Sequence, residues 1–263
     1  MIYEILSNLS GFRKSLIVMQ ISFFSEKLFE IKGWPVSNTI LMSWIAMSFL
    51  IGTSLFVKSR LRVVPGKLQN LFEALLEGME SFMTTVTGDM EKTKRFFPLV
   101  ATFFLFILIS NLMGILPGLG SIGLIEGHGE ESAMVPFFRS TNSDINMTLA
   151  LAVISVIAIQ IFGISFVGFF KYFSKFISFR GPIQFFTGIL ELIAEIAKII
   201  SFSFRLFGNI FAGEVLLMVI FFLVPLIVPL PFMVLEIFVG FVQALVFSML
   251  TLVFLTVATQ KER

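Results

Sequence analysis

The chain has no cysteine, one histidine and little charge: Asp, Glu, Lys and Arg make up 14% of its 263 residues. The lack of cysteine excludes disulfides, thiolate chemistry and cysteine-based zinc sites. His128, alone in EGHGEES, supplies no metal-ligand set. No GxxxxGK[ST] loop and no nucleophile motif occurs. No cofactor, no metal and no nucleic-acid partner is therefore expected, and the chain performs no bond chemistry of its own. What is present is apolar surface, with 57% hydrophobic residues and 35 phenylalanines. That composition belongs to a polytopic membrane protein with little mass outside the bilayer. The N-terminus lacks the order of basic region, apolar core and small-residue cleavage site that marks a cleaved signal.

Apolar runs at 38–57, 96–116 and 145–170 can each cross about 30 Å of hydrocarbon at about 1.5 Å per residue. The run 182–223 has no internal proline, and as one helix would be roughly 60 Å long. Either it makes two spans with a hidden turn or it is one helix strongly tilted in the membrane. Isolated Gly188, Gly208 and Gly213 provide no turn chemistry, which favours the tilted helix. PLIVPLP then breaks the chain, and 232–258 forms the second arm of a slanted hairpin. In 65–88, Leu68, Leu71, Phe72, Leu75, Leu76 and Met79 recur at helical spacing opposite Glu73, Glu77 and Glu80. This reads as an amphipathic helix lying on the membrane surface, its acidic side either docking a partner or simply solvated. The expected architecture is an all-α integral membrane protein, 1–263 as a single membrane domain. It has five membrane-crossing helices including a long tilted C-terminal hairpin, plus an inner-surface amphipathic helix.

Basic residues set the expected orientation. Lys58, Arg60, Arg62, Lys67, Lys92, Lys94 and Arg95 fall between the first two spans, Lys171, Lys175 and Arg180 after the third, and Lys261 and Arg263 at the end. The loop 117–143 has only Arg139 against Glu126, Glu130 and Glu131. The positive-inside rule thus places the segment 1–37 and the loop 117–143 outside and the C-terminus inside.

Arg205 sits in SFSFRLFGNIFAGEVLLMVIFFLV, deep inside the longest apolar run. Its charge cannot be titrated away, and a central arginine costs at least about 2.5 kcal/mol on insertion scales. Snorkelling to a headgroup is the plain alternative. On an ideal helix Glu191 and Asn209 fall within about 40° of Arg205, Lys198 within about 20° and Ser201 about 40° to the other side, with Glu195 about 80° away. A polar track therefore leads from Arg205 toward the inner end. Glu214 is about 180° around the helix and faces elsewhere. Glu236 and Gln243 share a face of the last helix, so Glu214 and Glu236 can line an outer path with Gln243 and Asn209 at its inner end. Neither acid has an obvious basic partner in the sequence. Glu191, Glu195 and Lys198 equally fit an intrahelical charge cluster, and Asn209 and Gln243 a simple interhelical bond. Asn111, Asp144 and Asn146 add polar groups at the outer side as an entrance or as helix caps, Asp144 especially. Gly208, Ala212 and Gly213 allow another helix to approach Arg205 closely, so the compensating carboxylate is expected on a partner subunit.

At this point SFSFRLFGNIFAGE, followed by VQALVFSMLTLVFL, resembles the terminal hairpin of subunit a of the F-type ATP synthases, in a bacterial-type form. The likeness continues in VPGKLQNLFEALLE, FPLVATFFLFILISNLMGILPG and PFFRSTNSDINMTLAL, and so covers most of the chain. The resemblance implies a membrane stator beside a ring of c subunits, with the b-subunit peripheral stalk as a further partner, in a bacterial inner (plasma) membrane. It implies that Arg205 faces the ring carboxylate, that Glu214, Glu236 and Gln243 line the outer half-channel with Asn209 nearby, and that Glu191 is an inner-channel acid. Many relatives pair Glu with His where Glu214 and Glu236 are both acidic, and some have Asp where Gly114 stands. Two rival readings remain: an autonomous channel or secondary transporter using Arg205 as an anion site, and a scaffold whose charges only order helix packing.

Overall fold

The computed structural model describes residues 25–31, 33–116, 122–126, 133–176, 181–224 and 227–260. His128, Glu130, Glu131, Arg180, Lys261 and Arg263, read above for orientation or metal binding, lie outside them. In chain order come β1 (Lys27–Ile31), β2 (Trp34–Ser37), α1 (Asn38–Ser59), α2 (Lys67–Thr87) and α3 (Met90–Gly114). Then follow β3 (Gly123–Glu126), β4 (Ala133–Pro136), a 3-10 turn (Thr141–Ser143), α4 (Ile145–Val167), α5 (Phe169–Phe173), α6 (Pro182–Leu223) and α7 (Pro229–Ala258). The strands form two small antiparallel ribbons, β1 with β2 and β3 with β4. Five helices, α1, α3, α4, α6 and α7, are long and apolar enough to cross a membrane. The protein is an all-α multi-pass membrane protein.

Local chemistry explains the helix ends. Gly88, in the left-handed conformation at φ 66°, closes α2. Asp89 then opens α3 by accepting from the backbone N–H groups of Glu91 and Lys92 at 2.9 and 3.4 Å. The helix thus starts at Met90 rather than where the apolar run begins at Phe96, and Lys92, Lys94 and Arg95 lie in its first turns. Hydropathy marks where a helix becomes apolar; the cap marks where it starts. Gly168, at φ 94°, ends α4 at Val167, and the chain continues as the short helix α5. α7 begins at Pro229, three residues before the apolar run, because prolines at the first turn forfeit no helical hydrogen bond. α6 is continuous over 42 residues, with no hidden turn. At about 1.5 Å per residue it measures roughly 63 Å, so it must tilt or project beyond a 30 Å hydrocarbon layer.

Lipid tails are as apolar as leucine, so these helices are held by close packing and interhelical hydrogen bonds. α7 packs chiefly on α3, and α6 on α4 and α7, while α2 lies against α3 and α7. One core joins Phe103, Phe104 and Ile107 of α3 to Phe202, Leu206 and Phe247 of α6 and α7. A second joins Met83, Phe96, Val100, Ile159, Leu252 and Leu255, which draws the apolar side of α2 into the bundle. Ser155 and Thr251 pair at 2.9 Å, tying α4 to α7, and Thr148 and Ser203 at 3.2 Å, tying α4 to α6. Only 17% of the most apolar stretch of α6 is buried within the chain, against 44% for α3, so a whole face of α6 is left outward.

The start of α6 is fixed by a glycine contact: a Cβ on Gly188 would run into the backbone carbonyl of Phe176. Backbone cannot step aside as a flexible side chain can. Gly188→Ala is expected to cost about 1–3 kcal/mol and to lower both the membrane level of the subunit on immunoblots and the thermal stability of its purified complex. Gly52→Ala, where a Cβ would meet nothing within 4 Å, should leave both unchanged.

Candidate functional site: a polar route through the bundle

Antiparallel connections bring the start of α1, the end of α3, the 3-10 turn, the start of α4 and the start of α7 to one end of the bundle. Asn111, 1% exposed on α3, donates to the Gly240 carbonyl of α7 at 2.9 Å and accepts from Asn142 of the turn at 2.7 Å. Close approach makes this possible: a Cβ on Gly240 would sit 3.1 Å from the Cβ of Asn111. Gly114 serves the same purpose one turn on, where a side chain would collide with Ser140. Asp144 caps α4 by accepting from Asn146 N–H at 2.9 Å, and its other oxygen accepts from Thr39 of α1 at 2.9 Å. The side chain of Asn146 is exposed.

Next to this cluster stand the two acids of the hairpin. Glu236, 8% exposed on α7, lies against the backbone of α6 at Gly213, where a Cβ would come within 3.0 Å of its Oε1. Glu214 follows Gly213 and does have a basic partner: Arg139 Nε is 3.7 Å from its Oε1. Helical spacing could not show this pair, because Arg139 belongs to the segment before the 3-10 turn, 75 positions away. Buried atoms Glu214 Oε2, Glu236 Oε2, Gln243 Nε2, Asn142 Oδ1, Ser140 Oγ and Thr141 Oγ1 have no hydrogen-bond partner among the described residues.

Further along α6, Asn209 donates to Gln243 Oε1 of α7 at 2.8 Å, so the interhelical bond exists. Arg205 is exposed on the outward face, roughly 35 Å from the start of α6. Among the described residues it makes one hydrogen bond, from Nη2 to Ser201 Oγ at 3.4 Å, and no ion pair. Its guanidinium is therefore uncompensated within those residues.

At the opposite, basic end the charges divide into two pairs rather than one intrahelical cluster. Glu195, 7% exposed, pairs with Lys198 at 2.8 Å. Glu191 instead binds Lys175, from the segment after α5, at 2.5 Å. Lys175 also lies over the rings of Tyr172 and Phe176. Burial first, then the carboxylates of Glu195 and Glu191, push the Tyr172 hydroxyl up to about 12. It therefore stays protonated and donates to Gln160 at 2.7 Å. Its ring fills the space over Gly163, where any side chain would collide with it.

The structure thus brings together Arg205 with Ser201, Asn209 with Gln243, and Glu214 with Glu236. It gives Glu191 and Glu195 different lysines, and gives Asp144 over to capping and to Thr39. Reading the sequence missed Arg139, Asn142, Thr39, Lys175 and Tyr172. The run RSTNSD at 139–144, polar to the last residue and placed just before an apolar helix, is the signal that could have drawn attention to the first two.

A multi-pass helical bundle whose longest helix carries an outward arginine, without an ion-pair partner among the described residues, between two polar ends defines a class of membrane protein with a fixed charge on a spanning helix. The family model described as ATP synthase A chain matches residues 40–256. The chain is 35% identical over 239 residues to the ATP synthase subunit a of Citrifermentans bemidjiense, covering 89% of this chain and 93% of that one. It is 35% identical over 257 residues to that of Desulfotalea psychrophila, covering 92% and 97%, and 37% identical over 206 residues to that of Campylobacter jejuni subsp. doylei, covering 77% and 81%. The chain belongs to the ATP synthase subunit a family.

Asn111→Leu removes both bonds of the bridge and leaves an Asn142 N–H buried without its acceptor. At about 1–3 kcal/mol for that stranded group, the purified complex is expected to denature at a lower temperature. An unchanged midpoint would show that the bridge contributes nothing to stability.

Proposed function

We propose that the chain is the ion-translocating stator subunit of a rotary F-type ATP synthase, with two proton half-channels that end on either side of Arg205. The observation that carries this reading is the outward guanidinium of Arg205, which has no carboxylate partner among the described residues. A charge left so in a membrane-crossing helix needs a counter-charge from another subunit. A ring of c subunits, each with a carboxyl at mid-membrane, supplies one after another. The exposed face of α6 around Ser201, Arg205, Gly208 and Ala212 is the surface for that ring.

The outer half-channel runs past Asn111, Asn142, Glu214 and Glu236 to Gln243 and Asn209. Its support is the series of buried oxygens and amides without partners among the described residues at that end, a pattern that ordered water satisfies. The inner half-channel leaves along Ser201 toward Glu195 and Glu191. A proton entering from outside passes from Glu236 to a ring carboxylate and neutralises it. The neutral carboxyl then turns through lipid almost a full revolution before it releases the proton inward. Arg205 holds the ionised carboxylate between the two steps and repels protons. It thereby prevents a direct leak that would dissipate about 2.3 kcal/mol per charge per 100 mV. Rotation is passed to ATP synthesis in other subunits.

The positive-inside rule then places the end bearing Lys58, Lys67, Lys92 and Lys175 in the cytoplasm of a bacterial cell, with Asn111 and Glu236 facing outside. The apolar residues exposed on α1, Trp44, Phe49, Ile51 and Leu55 among them, are left for lipid or a membrane helix of the b-subunit peripheral stalk.

Arg205→Ala is expected to reduce ATP-driven proton pumping and ATP synthesis to background in vesicles whose assembled complex, ring included, is confirmed by immunoblot. Retained coupling in the assembled variant would remove Arg205 from the mechanism and favour a scaffold. Proton conduction by the purified subunit without a ring would favour an autonomous channel.

A further inference from the structure

Arg139 has none of the roles assigned above, yet it is the cation beside the outer acids. Its side chain is 11% exposed, its Nε donates to Ser143 Oγ at 3.2 Å, and Glu214 Oε1 is 3.7 Å away. The segment that carries it is fixed on both sides, by the Asn142–Asn111 bond on α3 and by the Asp144–Thr39 bond on α1. The guanidinium is thus delivered to a set position from outside the spanning helices.

The two carboxylates differ in what surrounds them. Glu214 has Arg139 from the segment after β4, Ser143 from the 3-10 turn and Glu236 from α7. Glu236 faces Glu214 and the backbone of α6 at Gly213 and makes no ion pair among the described residues. The contribution of α3 at this end, Asn111, is neutral, and Asp144 at the start of α4 is engaged by Thr39 and its cap. Two neighbouring carboxyls without a cation share protons as a coupled pair, and neither has a defined role. A guanidinium cannot give up its proton, so placed on one of them it breaks that equivalence.

We infer that Arg139 is a positioning residue for the outer route: it pins Glu214 as a fixed counter-charge and leaves Glu236 as the carboxyl that hands protons on. The inference rests on the reading that the outer route passes these two acids. Lysine in its place keeps the charge within reach of Glu214; glutamine removes it and frees Glu214 to compete with Glu236 for the same proton.

The test is ATP synthesis by the assembled complex in proteoliposomes, measured against pH on the outer face at fixed inner pH and membrane potential. With Arg139→Gln the half-maximal outer pH is expected to move upward by about one unit, since a cation has been taken from beside two carboxyls. Arg139→Lys should keep the original profile. A glutamine profile that superimposes on that of the unaltered complex overturns the inference. So does an equal loss of rate in both variants without a shift, which marks a purely structural role. Where Arg139→Gln fails to assemble, Glu214→Gln decides: Arg139 then faces Glu236 alone, and the profile must move downward. No movement there also overturns the inference. Glu236→Gln tests the underlying reading separately, because coupled synthesis that survives it removes the outer route itself and not only the role of Arg139.

Discussion

A guanidinium in a low-dielectric layer can neither lose its proton nor be left without an opposite charge, and the design of this chain follows from that constraint at Arg205. Its neighbours on the helix are a hydroxyl, an amide and small residues, groups that solvate without neutralising. The acids of the hairpin are kept elsewhere: Glu214 on the far side of α6, Glu236 on α7, and Glu195 and Glu191 each tied to a lysine. Were one of them to reach Arg205, the chain would satisfy that charge by itself. Glu195 and Glu191 also lie about 15 and 21 Å along the helix axis from Arg205, beyond its reach, and their lysines secure the other end of the helix.

The bundle is assembled by steric fit more than by burial of apolar surface, which lipid already provides. Glycine occurs where chain segments come closest: Gly240 under Asn111, Gly114 under Ser140, Gly163 under Tyr172 and Gly188 under the Phe176 carbonyl. Each contact lies near an end of the bundle and brings a loop or a neighbouring helix onto a spanning helix. Between the ends, hydroxyl pairs such as Ser155 with Thr251 and Thr148 with Ser203 hold the register of helices that expose much of their sides. Polar groups are thus concentrated where segments converge.

Much of the fold was legible because hydropathy and proline placement are local signals. The unbroken run from Pro182 to Leu223 reads as one helix, and it is one. The helix boundaries were less legible. Asp89 starts α3 six residues before its apolar stretch, and Gly168 ends α4 three residues before its own. Both follow from capping and backbone conformation, which hydropathy does not register. On the candidate site, helical spacing placed Ser201 and Asn209 beside Arg205 and turned Glu214 away from it. Helical spacing says nothing about partners on other segments, and that is where Arg139, Asn142 and Lys175 come from. Of the charge cluster Glu191, Glu195 and Lys198, the Glu195–Lys198 pair exists, whereas Glu191 turns to Lys175, which one helix read in isolation does not show.

The continuity of α6 also has a mechanical side. A helix assigned without a break over 42 residues behaves as a beam. Near its beginning it is seated by Gly188 on the Phe176 carbonyl and by the Glu191–Lys175 pair, and toward its other end by Gly213 against Glu236 and the Glu214–Arg139 pair. Arg205 lies between these two supports. A sideways load applied there is carried to both ends as a bending moment, and neither end can move without parting a contact made by a different segment of the chain. The anchor points at the two polar ends are therefore also the bearings that hold Arg205 in a fixed place between them.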